Sequence, residues 1–480
     1  MLQNELERLT SERRALASYA EECRGLSSPI RRIPSELLAK IFDICRPENL
    51  YETPRSMDPD EEVDRVAGRH LLQLAQVSSR WHDVVMGTAT LWSKIALEPS
   101  LWGECAVSAD TLLSLLRTSL DRGGNHPLTL RVIVSQYTDY RYHEQSVRHV
   151  LELLSTHASR WRDVYLSSDA DLRGYLTGVR GNLGRLERLH FGAIWDGTDT
   201  FLDEDGQTFR DAPRLTQVAL SGLEFFSGAP DLPWPQIIRL TYLGEGFQCL
   251  YPLRHAHNIA TSSFNVDLLA VSPDVSWPLI SSNVQELSLM LIADNPFVIG
   301  QMFDSLTLPS LESLDFLSRD DESPLVLPPD HFLALADRSQ FGNHLTYLGI
   351  YAIVTDTELL RCLEALPQLE RLFISDCAAD ETHVVITDLL LRGLAYSSSP
   401  TALISRLHSL SLRSLLRFTD SVLVDAVTSR IDRIGRPFKT ALVWPADSEC
   451  SLASETVNEL AALALGGGLV FSWERGKEAF

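Results

Sequence analysis

The sequence predicts a mixed α/β chain in which a short all-α N-terminal region precedes an irregular solenoid of short parallel strands. Apolar residues recur at helical spacing between Leu2 and Val85, and an apolar-x-x-apolar-x-apolar motif recurs from Trp161 onward. Beyond Pro99 helix-like and strand-like segments alternate. A chain of 480 residues is also too long for one ordinary compact core, so several domains or a repeat architecture are expected.

The first element, over residues 1–26, places Leu2, Leu6, Leu9, Leu16, Ala20 and Cys23 at steps of three and four, with Arg13 at the remaining seam position. This narrow stripe suits either a self-associating coiled coil or packing on the following domain. Ser27, Ser28 and Pro29 break it. In RRIPSELLAKIFDIC, Arg31 to Cys45, Pro34 fits a first helical turn and Glu36 puts negative charge near the positive helix end. Leu37, Leu38, Ile41, Phe42 and Cys45 then form one broad face, and Pro47 stops the helix. An acidic, proline-rich stretch at about 46–66 reads as an exposed loop. A second helix is expected from near Arg69 to Gly87, with Leu71, Leu74, Val77, Trp81, Val84 and Val85 on one side, followed by Leu91, Trp92 and an extended TLWSKIAL segment.

IPSELLAKIF at 33–42, LLQLAQVSSRWHDVV at 71–85 and TLWSKIAL at 90–97, in that order, resemble an F-box domain. SPIRRIP and RWRDVYL add a resemblance to F-box proteins of the fungal type. The long insert departs from the pattern, although closure entropy grows only logarithmically with loop length. The resemblance assigns residues 29–98 to the F-box and implies docking onto the Skp-type adaptor of a cullin-based ubiquitin ligase through Ile33, Pro34, Leu37, Leu38, Ile41, Phe42, Leu74, Val77, Trp81, Leu91 and Trp92. A module this short buries little surface, so an apolar ridge covered by a partner is physically reasonable, with some of these side chains facing the module's own core.

Residues 99–480 form the second region. Ser108 is expected to cap a helix, SADTLLSLLRTSLDRGG, before the strand PLTLRVIV; SVRHVLELLSTHASRW reads as helix and DVYLSS as strand. The repeated motif appears as WRDVYL at 161, LERLHF at 186, LTQVAL at 215, IIRLTY at 237, VQELSL at 284, LESLDF at 311, LTYLGI at 345, LERLFI at 369 and LHSLSL at 407, with only a poor match, IATSSF at 259, between 237 and 284. It resembles a leucine-rich repeat, in which each motif is one parallel strand. The ninth motif position holds Ile194, Leu223, Glu245, Ile292, Arg319, Ile353, Cys377 and Leu415, without asparagine, so an irregular solenoid is expected. Strand alternation puts Arg188 and His190, Gln217 and Ala219, Arg239 and Thr241, Ser313 and Asp315, Tyr347 and Gly349, Arg371 and Phe373, and Ser409 and Ser411 on one concave face. Arg188, His190, Tyr347, Tyr351, Arg371 and Phe373 are the candidate target-binding residues, as aromatic and arginine side chains anchor many interfaces; ordinary surface decoration is the alternative.

A net charge of -22, from 42 basic and 64 acidic residues, opposes contact with nucleic acid and with anionic membranes. No apolar run reaches the ~20 residues of a membrane span, and the charged N-terminus lacks a signal core, so a cytoplasmic or nuclear protein is expected. The 7 cysteines show no C-x-x-C pair and fit reduced thiols, with Cys45 and Cys377 as packing residues. Gly466 to Gly468 lacks the Lys-Ser/Thr of a phosphate loop, His255 and His257 lack partners for a metal, and neither G-x-S-x-G nor H-E-x-x-H occurs. No enzyme activity, cofactor or metal is expected. The leading expectation is the substrate-recognition subunit of a cullin-based ubiquitin ligase, with the repeat region holding a target protein; the alternative is an interaction scaffold that uses the F-box without recruiting the ligase.

Overall fold

The computed structural model describes residues 8–14, 16, 17, 19, 29–45, 69–97, 109–134, 144–168, 173–176, 178–193, 207–222, 231–319, 324–377, 383–396, 403–431, 438–445, 451–467 and 470–472. Leu2, Leu6, Ala20, Cys23, the break at Ser27 and Ser28, Pro47, the 46–66 insert, the cap at Ser108, and Ile194 and Leu223 lie outside them. The chain divides into two compact units, Met1–Val132 and Ile133–Phe480. The first therefore continues past residue 98, with a helix at Ala109–Arg122 and strands at Lys94–Leu97 and Leu128–Val134 paired in parallel through Ile95 and Leu130.

Residues 8–14, 16, 17 and 19 are helical, and Leu9 and Leu16 are exposed. The helix Ser35–Ile44 follows Pro34 as expected. The second expected helix is instead two, Arg69–Ala75 and Ser79–Gly87. Gln76 and Val77 donate their amides to the carbonyls of Gln73 and Leu74 and close the first. Ser78, in extended backbone, starts the second by accepting from the Trp81 amide at 3.2 Å. Leu38, Phe42, Leu71, Ala75, Val84, Val85, Leu91 and Trp92 form the core of this region. The Trp92 indole donates to the Val85 carbonyl at 2.8 Å, so its one polar atom is satisfied inside that core.

The second unit is a parallel solenoid. Strands at Trp161–Ser168, Arg188–Ala193, Gln217–Ser221, Arg239–Glu245, Thr261–Asp267, Glu286–Ile292, Ser313–Ser318, Tyr347–Tyr351, Arg371–Ser375, Ser409–Ser414, Thr440–Pro445 and Val470–Ser472 pair in that order, each parallel to the one before. Register aligns the fourth motif position into an inward column, Val164, Leu189, Val218 and Leu240, continued by Leu287, Leu314, Leu348, Leu372 and Leu410. The sixth position forms the next column, including Leu166, Phe191, Tyr242, Phe316 and Leu412, all at most 1% exposed. The expected α/β architecture is thus the observed one.

The poor match at 259 is a full strand in which buried Ser262 takes the leucine position between Leu240 and Leu287. Return segments are mostly short 3-10 turns at first and α-helices from Pro296–Ser305 onward, which accounts for the uneven motif spacing. Polar groups organise the eighth rather than the ninth motif position, because eight shares the inward face with four and six. Ser168, Ser318, Asp376 and Ser414 occupy it and are buried. Neighbouring helices are tied at their starts: Asp356 accepts from the Thr387 hydroxyl, Asp388 from the Thr419 amide and hydroxyl, and Asp420 from the Ala453 amide and Thr456 hydroxyl.

Candidate functional site

Along Ser35–Ile44 two apolar stripes lie about 100° apart. Leu38 and Phe42 face inward and are at most 1% exposed, whereas Leu37, Ile41 and Ile44 are 50%, 37% and 81% exposed at steps of four and three. Val77 projects from the bend between the next two helices and is 60% exposed; Pro34 is also exposed. Ile33, Leu74 and Trp81 are half-buried against the core, with the Phe42 and Trp81 ring centroids 4.7 Å apart. Arg80 donates to the backbone carbonyls of Arg31 and Ile33 and anchors the segment leading into the first stripe. A Lys94–Asp43 ion pair at 2.7 Å fixes the helix near its other end.

The residues assigned to docking from sequence therefore divide. Leu38, Phe42, Leu91 and Trp92 fill the internal core and offer no partner surface; Pro34, Leu37, Ile41 and Val77 are exposed, and Ile44, absent from that set, is the most exposed large apolar side chain of the helix. Its i, i+4, i+7 relation to Leu37 and Ile41 is the signal that could have found it. Cys45, expected to pack, is exposed.

On the strand face opposite the leucine columns, register brings Tyr347 beside Arg371, and Phe373, two residues further along, beside Gly349. Arg371 lies over the Tyr347 ring at 5.0 Å and Arg413 over the Tyr351 ring at 5.3 Å; Phe373 stacks on Trp444 at 6.1 Å. Leu317, Tyr351, Phe373 and Cys377 form a buried apolar cluster here, on the face opposite the leucine columns; Tyr351 and Phe373, expected to offer binding surface, are only 8% and 6% exposed because they pack on each other and on Trp444. Tyr347 donates its hydroxyl to Asp315 at 2.8 Å. Burial pushes the Asp315 carboxyl above its ordinary range, while Tyr347 and Arg371 pull it back; burial and the neighbouring Asp315 charge push the Tyr347 hydroxyl up. Gly349 matters to this contact because a Cβ there would meet the Asp315 carboxylate.

Arg188 and His190 do not join that patch. Their strand is six steps away along the sheet, each about 4.8 Å. Arg188 pairs with Asp163 at 2.7 Å, and His190 stacks on Tyr165 at 3.9 Å and hydrogen-bonds Ser221. Burial raises the Asp163 carboxyl, but the hydrogen bonds and charges of Arg188 and Arg162 outweigh it and hold it below the ordinary carboxylate range.

Cys249 and Cys362 are buried, and burial pushes both thiols up to about 12, so they stay protonated near neutrality. Among the described residues no cluster of three or more His, Cys, Asp or Glu is arranged to hold a metal, and no helix is long and apolar enough to cross a membrane. His255 ends the short helix Tyr251–His255 and faces Trp234 at 6.5 Å between ring centroids.

The F-box-like family model matches residues 30–98, the stretch that holds the filled core and the exposed stripe. No curated protein matches the chain. Among solved structures, an internalin from Listeria monocytogenes is similar at 12% identity and a TM-score of 0.33, covering 75% of this chain and 91% of the internalin. Skp-type adaptors are the general partners of F-box domains, and residues 30–98 of this chain are an F-box-like domain followed by a parallel-strand solenoid.

Proposed function

We propose that this chain is the substrate-recognition subunit of a cullin-based ubiquitin ligase, its F-box-like domain binding a Skp-type adaptor and its concave repeat face binding a target protein. One observation carries the adaptor half: Leu37, Ile41, Ile44 and Val77 stay exposed on a small domain whose core is already filled by other residues. Fully removing an exposed side chain of this size from water contributes ~1.5 to 3 kcal/mol, and these four, partly exposed, contribute correspondingly less each toward offsetting the cost of association. The target half rests on half-buried Tyr347 and exposed Arg371, a cation over an aromatic ring, held in place by the buried Tyr351 and Phe373 beneath them. On this reading the chain performs no bond chemistry; it holds the target near charged ubiquitin and raises its effective concentration, in the cytoplasm or nucleus.

Co-expression with the adaptor and a cullin tests the proposal. Wild-type chain should retain both on affinity purification. Leu37→Asp with Ile41→Asp should lose both while keeping its circular dichroism spectrum, since both side chains are exposed. Failure of the wild type to retain the adaptor would reject the adaptor role; adaptor without cullin would reject ligase recruitment and leave an interaction scaffold.

A further inference from the structure

Of the 42 basic residues only Lys40, Lys94, Lys439 and Lys477 are lysines; every other one is an arginine. No lysine occurs between Lys94 and Lys439, a stretch that holds nearly the whole repeat array. Lysine is among the commonest residues of soluble proteins, so its near-absence from a charged surface calls for a cause.

Local environments do not supply one. Some arginines do what lysine cannot: Arg338 reaches the Phe303 and Leu306 carbonyls at 2.6 Å each, and Arg430 donates to the carbonyls of Leu394, Ile404 and Leu407 from a buried position. Others are plain surface charges. Arg210 is 56% exposed beside Asp231 at 3.5 Å, Arg392 is 69% exposed beside Asp388 at 3.7 Å, and Arg254, Arg319 and Arg361 are exposed as well. A single exposed ion pair needs only a point charge, so lysine would serve at such positions equally well.

What separates the two side chains there is chemical. A guanidinium stays protonated and does not accept acyl groups, whereas a deprotonated ε-amine is a nucleophile toward carbonyl carbon. In ubiquitin transfer the lysine nitrogen forms an amide bond to the C-terminal carbonyl of ubiquitin, the thioester C–S bond breaks, and the departing thiolate takes up the proton that the amine loses. A receptor that holds its target beside charged ubiquitin brings its own surface to a similar effective concentration. The few lysines fit the same logic. Lys40 lies three residues after Leu37 and four before Ile44, along the exposed stripe that an adaptor would cover. Lys94 donates to both Asp43 carboxylate oxygens at 2.8 and 2.7 Å. Among the described residues of the repeat unit, Lys439 is the one lysine.

We propose that the use of arginine in place of lysine across the repeat region keeps this chain from being ubiquitinated by the ligase it serves, so that one receptor outlasts many targets. The inference rests on the ligase reading above.

Reconstitution of the full-length chain with adaptor, cullin and a ubiquitin-conjugating enzyme carrying ubiquitin as its thioester tests this. Faster discharge of that thioester to free lysine in the presence of the complex reports an active ligase. Under those conditions the wild-type chain should stay largely unmodified. A variant combining Arg210→Lys, Arg254→Lys, Arg319→Lys, Arg361→Lys and Arg392→Lys keeps every charge and should keep its circular dichroism spectrum. It should nevertheless acquire ubiquitin at least about fivefold faster, at the substituted positions by mass spectrometry. Glutamine at the same positions should bring no gain. With discharge active, a wild type modified as fast as the lysine variant, a lysine variant no more modified than wild type, or an equal gain in the glutamine variant would overturn the proposal. Failure of the complex to retain the cullin is read separately: it rejects the ligase reading, and this proposal with it.

Discussion

Asp376 follows the strand Arg371–Ser375 and is 1% exposed. Its Oδ1 accepts the amides of Val385 and Ile386 at 2.9 and 3.0 Å; its Oδ2 accepts the Ser414 hydroxyl and the Leu415 amide at 2.9 and 3.0 Å. The carboxylate thereby binds two separate segments of chain to the end of one strand. In Asp376→Ala three amides and a hydroxyl lose an acceptor, each at about 1–3 kcal/mol if left dry. Relief of the carboxylate's own desolvation, several kcal/mol, offsets part of that loss, so a net destabilisation of roughly 3–5 kcal/mol is expected. Asp376→Asn keeps an acceptor for Val385 and Ile386 but turns a donor toward the Leu415 amide, for a smaller loss of about 2 kcal/mol. Urea denaturation should rank wild type above Asn above Ala, and hydrogen exchange should show faster exchange at Val385, Ile386 and Leu415 in both variants. An alanine variant within about 1 kcal/mol of wild type, with those amides equally protected, would refute the assignment of this carboxylate as a structural tie.

Phe42→Ala should cost about 3–5 kcal/mol and lower the unfolding midpoint of the N-terminal unit, because the ring is 1% exposed and packs on Trp81. Leu37→Ala, half exposed, should stay within about 0.5 kcal/mol of wild type in the same melt yet weaken adaptor capture, which separates docking from folding. Asp163, held below the ordinary carboxylate range, contributes stability that is present above the unfolded value of about 4 and is lost as pH falls through its lower folded value; Asp163→Asn should remove that acid limb from a midpoint-versus-pH curve. Gly342→Ala would put a Cβ 2.3 Å from the Ala365 carbonyl oxygen, a backbone atom that cannot rotate away, and should cost about 1–3 kcal/mol in thermal melting; an unchanged melt would mean that this turn yields.

What could be recognised before folding follows from short-range periodicity. A strand repeats every two residues and a helix about every 3.6, so the leucine columns and the helix Ser35–Ile44 are legible from local order alone. Strands that substitute a small or polar residue in the column escape that test: Ser262 stands in one leucine position and Ala441, in Thr440–Pro445, in another, yet each pairs in register with its neighbour. A second signal lies in a longer spacing. Thr355–Asp356, Thr387–Asp388 and Thr419–Asp420 are equally spaced along the chain, and they are the residues that tie successive helices together.

By itself, then, the sequence determined the order of an F-box-like module and a parallel repeat array, because both depend on spacings shorter than one element. Which apolar residues dock and which pack was decided by tertiary structure. Leu37 and Leu38 are chemically identical neighbours about 100° apart on one helix, and only the placement of Val84, Val85 and Trp92 makes Leu38 the inner one. The same holds for the face opposite the leucine columns: alternation put Arg188 and Tyr347 on one surface, but the number of strands between them separates the arginine pair on Asp163 from the aromatic cluster around Phe373. Separation across a sheet is set by strand count and pairing order, and neither is encoded in any single repeat.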